Sequence, residues 1–133
     1  VPFNGSGSDR NNNAVVLRLI YGQVSFMLAS DIEAFAEGYL VRSSAELEST
    51  VLKAAHHGSR TSSTAGFLNQ VNPTLAVISS GPGNQFGHPH VEVTERLERF
   101  LGPEGLFRTD RHGTIEFISD GVDLWVRTDR EYP

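Results

Sequence analysis

The chain has no cysteine among its 133 residues, which excludes disulfide bonds and thiolate metal ligands. Any metal that it holds must therefore have nitrogen and oxygen ligands. Positive charge is also scarce, because 11 Lys and Arg residues stand against 16 Asp and Glu residues, for a formal net charge of −5. Such a charge excludes a general attraction to nucleic-acid phosphates, so any such binding must depend on a local site. No apolar run approaches the roughly 20 residues of a membrane-spanning helix.

The apolar residues follow strand-like and helix-like spacings in turn, which predicts one α/β unit, and a hydrophobic content of 38% is sufficient for its core. The start is rich in Gly, Ser and Asn and predicts a flexible lead-in over 1–13, before a folded part over 14–133. Asp120-Gly121 is the expected turn of the last hairpin. The predicted strands are 14–21, 23–30, 50–55, 74–79, 106–109, 114–118 and 122–126; the predicted helices are 32–41, one capped by Ser62 or Ser63, and one that opens at His90 or Val91 with Val93, Leu97, Phe100 and Leu101 on its apolar face.

Two adjacent histidines follow the third predicted strand, in the segment Ala54-Ala55-His56-His57-Gly58-Ser59. Neutral imidazole is the commonest protein ligand for zinc and similar metals. The end of a strand holds such a side chain in a fixed direction, and Gly58 lets the backbone turn away at once. The segment therefore indicates a metal-site corner, with a surface loop that happens to carry two histidines as the alternative.

An acidic residue, Asp31, stands directly after the predicted strand 23–30. The carboxyl ends of strands in open α/β sheets are where ligands bind, so this residue is a second candidate for the site. Because a predicted helix follows it, the alternative is an ordinary helix cap.

The order of these segments is similar to the C-terminal half of the metallo-β-lactamase-fold domain in ComEC-type competence proteins, which import DNA in transformation. The resemblance covers Asn11 to Val126. It implies an α/β (α+β) fold that is half of an αββα sandwich, a mixed sheet with helices on one face. The segments that carry it are Asn11-Asn12-Asn13-Ala14, Ser30-Asp31-Ile32-Glu33 with Glu37 and Leu40, Leu52-Lys53-Ala54-Ala55-His56-His57-Gly58-Ser59, Ile78-Ser79, Asn84-Gln85-Phe86-Gly87-His88-Pro89-His90 and Arg108-Thr109-Asp110-Arg111-His112-Gly113.

The chain departs from the family pattern at three points. It has Ser30 where the family usually has glycine, and Ala14 where the family has serine. The main metal motif of the family, HxHxDH, has no match, since no histidine precedes His56. The chain therefore contains at most two of the expected ligands.

The resemblance implies metal-assisted hydrolysis of a phosphodiester, with two divalent ions in the complete domain. Asp31 matches the carboxylate that bridges the two ions, and His57 matches the terminal ligand of the second ion. His56 then faces the substrate, where its imidazole stabilises or protonates an oxygen. The choice of His57 over His56 as the ligand rests on the resemblance alone.

His88 is the other candidate catalytic residue, because Pro89 restrains the loop that carries it. It would contact a substrate phosphate or support the metal edge, with a loop histidine packed on the sheet as the alternative. His90 and His112 are expected at a helix start and in a turn, and Asp110 is expected to form a turn. The hydroxyl-rich segment either caps a helix or meets phosphate; it comprises Ser59, Thr61, Ser62 and Ser63.

Three functions follow as hypotheses: part of a metal-dependent nuclease in DNA uptake, a hydrolase of another phosphoester, or a non-catalytic module with a decayed site. For the first, the expected cofactor is Zn or Mn, bound weakly or not at all by this chain alone. The expected partners are single- or double-stranded DNA, a missing N-terminal half with HxHxDH, and a second copy of the chain. We expect a soluble segment of a membrane protein, on its extracytoplasmic face.

Overall fold

A computed structural model describes residues 9–131 and contains a five-stranded mixed sheet, a two-stranded sheet and five helices within that range. In residues 9–131 no helix reaches the length and hydropathy that a bilayer crossing demands. The strands are β1 Leu17–Tyr21, β2 Val24–Leu28, β3 Val51–Lys53, β4 Leu75–Ile78, β5 Leu106–Arg108, β6 Ile115–Ser119 and β7 Leu124–Thr128; the helices are α1 Asp9–Asn12, α2 Ala34–Arg42, α3 Ala65–Val71, α4 Val91–Leu101 and α5 Thr109–His112, with a 3-10 turn over Ala55–Gly58.

The larger sheet has the strand order β1-β2-β3-β4-β5. The pair β1 and β2 is an antiparallel hairpin, whereas β2 to β5 run parallel. The four parallel strands place their carboxyl ends along one edge of the sheet. The mixed sheet and the α+β class predicted from the sequence are thereby confirmed.

The hydrophobic core lies between this sheet and the longer helices. Met27, Leu52 and Ala76 are aligned across β2, β3 and β4 and are buried on one face. Helices α3 and α4 cover them with Phe67 and Leu97, which are also fully buried. The predicted apolar face of α4 is confirmed at Val93 and Leu97, but Phe100 near the end of the helix is exposed.

The opposite face of the sheet contacts the hairpin of β6 and β7. Phe117 of β6 makes edge-to-face contacts with Phe26 of β2 at 5.9 Å and with Phe107 of β5 at 6.2 Å between ring centroids. The predicted turn of this hairpin is confirmed, because the Asp120 side chain accepts hydrogen bonds from the N–H groups of Val122 and Asp123. This short hairpin leaves part of the sheet face exposed.

Two local predictions need correction. The side chain that caps α3 belongs to Thr64, which accepts a hydrogen bond from the N–H of Phe67, while Ser62 and Ser63 are fully buried. Helix α2 begins at Ala34 rather than at residue 32.

Most of the expected lead-in, residues 1–8, lies outside the described residues. Its last part forms α1, and Asn12 is buried there. The Asn12 side chain accepts hydrogen bonds from the N–H groups of Glu33 and Ala36, so it satisfies free donors at the start of α2.

Candidate metal centre

The candidate site lies at the carboxyl edge of the parallel strands. Asp31 follows β2, the turn with His56 and His57 follows β3, and Ser79 follows β4. Because these three strands are neighbours, their ends bring together residues that are up to 48 positions apart in sequence, the separation of Asp31 and Ser79.

The backbone of the turn with the two histidines is left-handed. His56 has φ 50° and ψ 42°, His57 has φ 55° and ψ 27°, and Gly58 continues with φ 79°. A left-handed conformation costs a residue with a side chain about 1–2 kcal/mol. Such strain is typical of functional sites, where surrounding contacts hold it in place.

Two contacts hold this turn in place. The N–H of His56 donates to the carbonyl of Ser30 at 2.9 Å, which ties the end of β3 to the end of β2. On the other side, a side chain at Gly58 would meet Pro89 at 2.6 Å, so glycine is needed for the close approach of the loop over 84–90. Ser30 itself is left-handed, with φ 52°, the conformation that a glycine at this position would adopt freely.

Asp31 and His57 face each other across this edge. The His57 Nε2 atom lies 3.6 Å from Asp31 Oδ1, and both side chains are about half exposed, at 47% and 45%. The His57 Nδ1 atom lies 2.7 Å from the carbonyl oxygen of Ser79. Since a carbonyl only accepts hydrogen bonds, Nδ1 donates to it, and Nε2 is the ring atom that faces the carboxylate.

This pair could hold a divalent cation, since carboxylate oxygen with imidazole nitrogen is a common donor set for Zn and Mn. Among the described residues 9–131, no group of three or more His, Asp or Glu side chains converges in this way. The two side chains predicted as ligands, Asp31 and His57, lie together, but no third such side chain among residues 9–131 joins them.

Lys53 was missed by sequence reasoning and lies next to this pair. Burial at the end of β3 lowers the pKa of Lys53 from its usual value, and the negative charge of nearby Asp31 offsets part of that effect. A lysine inside the apolar run of β3 was the signal that could have identified it, because a buried ammonium is rare without a partner.

His56 points away from His57, towards Glu33. Its Nδ1 atom is buried without a hydrogen-bond partner and lies 3.6 Å from Glu33 Oε1. Glu33 also accepts hydrogen bonds from the side chains of Asn11 and Thr61. The two adjacent histidines therefore have different surroundings, and Glu33 is a second neighbour that sequence reasoning missed.

His88 lies beside His56 in a cluster of aromatic rings. Its ring makes edge-to-face contacts with His56 at 5.6 Å and His90 at 4.8 Å. Burial lowers the pKa of His88, and positive charge on neighbours such as His90 and Arg60 lowers it further. This shift favours a neutral His88 ring near pH 7.

His90 is confirmed at the start of α4, and it also supports the turn. Its N–H donates to the carbonyl of Gly58 at 2.9 Å, and its Nδ1 accepts a hydrogen bond from the N–H of Arg60 at 3.1 Å.

The remaining candidates have structural contacts. Arg108 pairs with Asp110 through two hydrogen bonds of 3.0 and 2.6 Å, and His112 Nδ1 contacts the backbone of Arg108. Burial raises the pKa of Asp110, but the hydrogen bond and charge of Arg108 outweigh it and lower the pKa overall. In the hydroxyl-rich segment, Ser62 donates to the carbonyl of Ile32, and both Ser62 and Ser63 are buried, which favours the structural alternative over a phosphate contact for these two residues.

Comparison with known proteins finds relatives over most of the chain. It is 34% identical over 110 residues to ComE operon protein 3 of Bacillus subtilis, 38% over 117 residues to Competence protein ComA of Neisseria gonorrhoeae, and 39% over 114 residues to Recombination protein 2 of Haemophilus influenzae. These alignments cover 83%, 87% and 86% of this chain, but the chain spans only 14%, 17% and 14% of the three relatives. No protein-family model and no solved structure matches the chain. The chain matches one segment of each relative. The similarity supports the assignment of the chain to the ComEC-type competence family.

Proposed function

We propose that the chain is the C-terminal half of a metallo-β-lactamase-like domain in a competence protein for DNA uptake. The complete domain cleaves phosphodiester bonds of DNA with divalent metal ions, and it lies on the extracytoplasmic face of a membrane protein. Asp31 and His57 are the ligands that this chain contributes, and a preceding segment with HxHxDH contributes the others. The similarity to Competence protein ComA, and to ComE operon protein 3, supports the biological setting.

The observation that carries the metal proposal is the hydrogen bond from His57 Nδ1 to Ser79. It directs Nε2, 3.6 Å from the carboxylate of Asp31, towards the place where a metal ion would bind. Metal-ligating histidines almost always donate their other ring N–H to a carbonyl or carboxylate in this way.

Each residue then has a defined task. Asp31 has two carboxylate oxygens and so can bridge two ions, while Ser79 keeps His57 in the correct tautomer and orientation. A bound Zn or Mn ion would activate water and offset negative charge on the scissile phosphate. His56 lies on the other side of the turn, where it can hold a proton for the leaving oxygen, and Glu33 lies beside its Nδ1.

The exposed part of the sheet supports the half-domain proposal. Leu17 and Leu19 of β1 are aligned with Leu28 and Phe26, so they share the sheet face that the short hairpin contacts. Leu17, Leu19 and Tyr21 are 55%, 58% and 58% exposed. A row of large exposed apolar side chains is typical of an interaction surface, which the preceding half of the domain would cover.

The proposal predicts that cleavage depends on added metal. The full-length protein should degrade labelled DNA with Mn or Zn, lose this activity in EDTA, and regain it when excess metal is restored, because the ions activate the water. Single-stranded and duplex substrates should be tested in parallel by gel electrophoresis.

Cleavage that persists in EDTA would contradict the metal proposal. Absence of DNA cleavage with every metal, together with hydrolysis of a phosphocholine ester, would favour a hydrolase of another phosphoester. Absence of both activities would favour the non-catalytic module.

The exposed face of β1 predicts that the isolated 133-residue chain self-associates, because a second copy would cover the apolar row in the absence of the preceding half. Light scattering should show species larger than a monomer. Leu19→Lys should shift them towards the monomer, while Val91→Lys, an exposed apolar position at the start of α4, should not. A monodisperse wild-type monomer would count against an uncovered sheet face.

A further inference from the structure

Phe86 is an exposed aromatic residue next to the candidate metal centre. It is 67% exposed, and its ring stacks on His88 with 5.8 Å between centroids and 29° between planes. One face of the Phe86 ring is thus supported by His88, which in turn contacts His56. Single exposed apolar residues are common, so the position and the support of this ring, rather than its exposure, require an explanation.

The loop that carries Phe86 is held by the side chain of Asn84. Its Oδ1 atom accepts hydrogen bonds from the N–H groups of Phe86 at 3.1 Å and His88 at 3.0 Å. Its Nδ2 atom donates to the carbonyl of Gly81 at 2.9 Å. These bonds keep the loop in shape without burying Phe86, so little ordering is needed when a ligand covers the ring.

The surroundings of Phe86 favour a ligand with both a ring and a negative charge. The exposed Arg60 supplies positive charge near these rings, because its backbone N–H donates a hydrogen bond to His90, whose ring contacts His88, although the chain as a whole carries a net charge of −5. The outer face of the Phe86 ring, which His88 does not cover, is available to a planar ring. A nucleotide combines the two features, since its base stacks on aromatic side chains and its phosphate binds cations.

We propose that Phe86 stacks on an unpaired nucleobase of single-stranded DNA, next to the phosphate that the metal centre holds. The neighbouring position of that phosphate rests on the proposed function, whereas the stacking itself does not. Stacking of this kind is tolerant of sequence and requires the base to be free of its partner strand. The site therefore selects unpaired DNA in a chain whose overall charge does not attract nucleic acid.

The test measures binding without cleavage, on the full-length protein in EDTA. The probe is a single-stranded oligonucleotide of about 12 nucleotides that contains 2-aminopurine, whose fluorescence is quenched by stacking. Phe86→Leu should weaken binding by about 5- to 10-fold and remove the protein-dependent quenching. Phe86→Trp keeps an aromatic face and should retain both, and Val91→Ala, also exposed but outside this loop, should behave as the wild type.

Equal affinity and equal quenching for Phe86→Leu and the wild type would overturn the proposal. A lower melting temperature of Phe86→Leu with unchanged DNA binding would also overturn it, because Phe86 would then pack against protein. If the wild type binds the probe without quenching it but still cleaves DNA with metal, this inference fails alone. If the wild type quenches the probe and Phe86→Leu does not, in a protein that cleaves no DNA with any metal, the inference stands and the nuclease proposal fails.

Discussion

Replacement of either Asp31 or His57 by alanine in the full-length protein should abolish metal-dependent cleavage of DNA and leave the fold largely intact. Each variant removes one of the two side chains that face each other at 3.6 Å, so a metal ion held there would lose a ligand and its position. Both side chains are about half exposed, and little packing is lost with them. The measurement is metal content by elemental analysis together with single-turnover cleavage. His112→Ala is the matched control, because His112 contacts the Arg108 backbone rather than the site.

The same assay separates the two adjacent histidines. His56→Ala should keep its metal and slow cleavage by about 10²–10⁴-fold, the usual contribution of a general acid. This expectation follows from the orientation of His56 towards Glu33 rather than Asp31. If His56→Ala loses metal while His57→Ala keeps it, the roles of the pair are reversed. Full cleavage by both Asp31→Ala and His57→Ala would remove the metal proposal altogether.

The strands and the longer helices were predictable from the sequence, because the spacing of apolar residues indicates them directly, whereas the mixed sheet was implied by the family resemblance. The i, i+4 pair Val93 and Leu97 identified the buried face of α4, and both residues are fully buried. The proximity of Asp31 to the two adjacent histidines was predictable, since each follows a strand and parallel neighbours bring their carboxyl ends together. The choice of His57 over His56 rested on the family resemblance.

The support of the site was not predictable, because it comes from backbone groups and tertiary contacts. Ser79 orients His57 through its carbonyl, which every residue has, so its side chain gave no signal. The left-handed backbone of His56 and His57 depends on contacts with Ser30 and the loop over 84–90. The sequence has four consecutive hydroxyl residues before α3, so the capping residue was predicted as Ser62 or Ser63. Both of these are buried, and the side chain of Thr64 caps the helix instead.

Glu37→Ala should destabilise the protein by about 3–5 kcal/mol, a large part of the 5–15 kcal/mol that folded domains have. Glu37 in α2 is fully buried, and its carboxylate accepts hydrogen bonds from the N–H groups of Ser63 at 2.5 Å and Thr64 at 2.8 Å. Arg96 binds the carbonyl of Ser63 from α4 at 2.8 Å and places its charge near the carboxylate. Alanine would leave the N–H groups of Ser63 and Thr64 without their acceptor. Thermal and urea unfolding of the chain should show the loss, and Glu98→Ala, exposed on α4, should not.

Glu37→Gln tests whether the charge or the shape of this side chain matters. Burial raises the pKa of Glu37 above its usual 4.5, and the hydrogen bonds from Thr64 and Ser63 and the charge of Arg96 offset only part of that shift. The native state therefore binds the proton more tightly than the unfolded state, so the stability from protonated Glu37 is complete below pH 4.5 and is lost as the pH rises through the native pKa. Glutamine does not titrate, and the stability of the wild type relative to Glu37→Gln should fall over that pH range. A difference that rises with pH would show that the pKa of Glu37 is lowered and that the ionised carboxylate is the stabilising form.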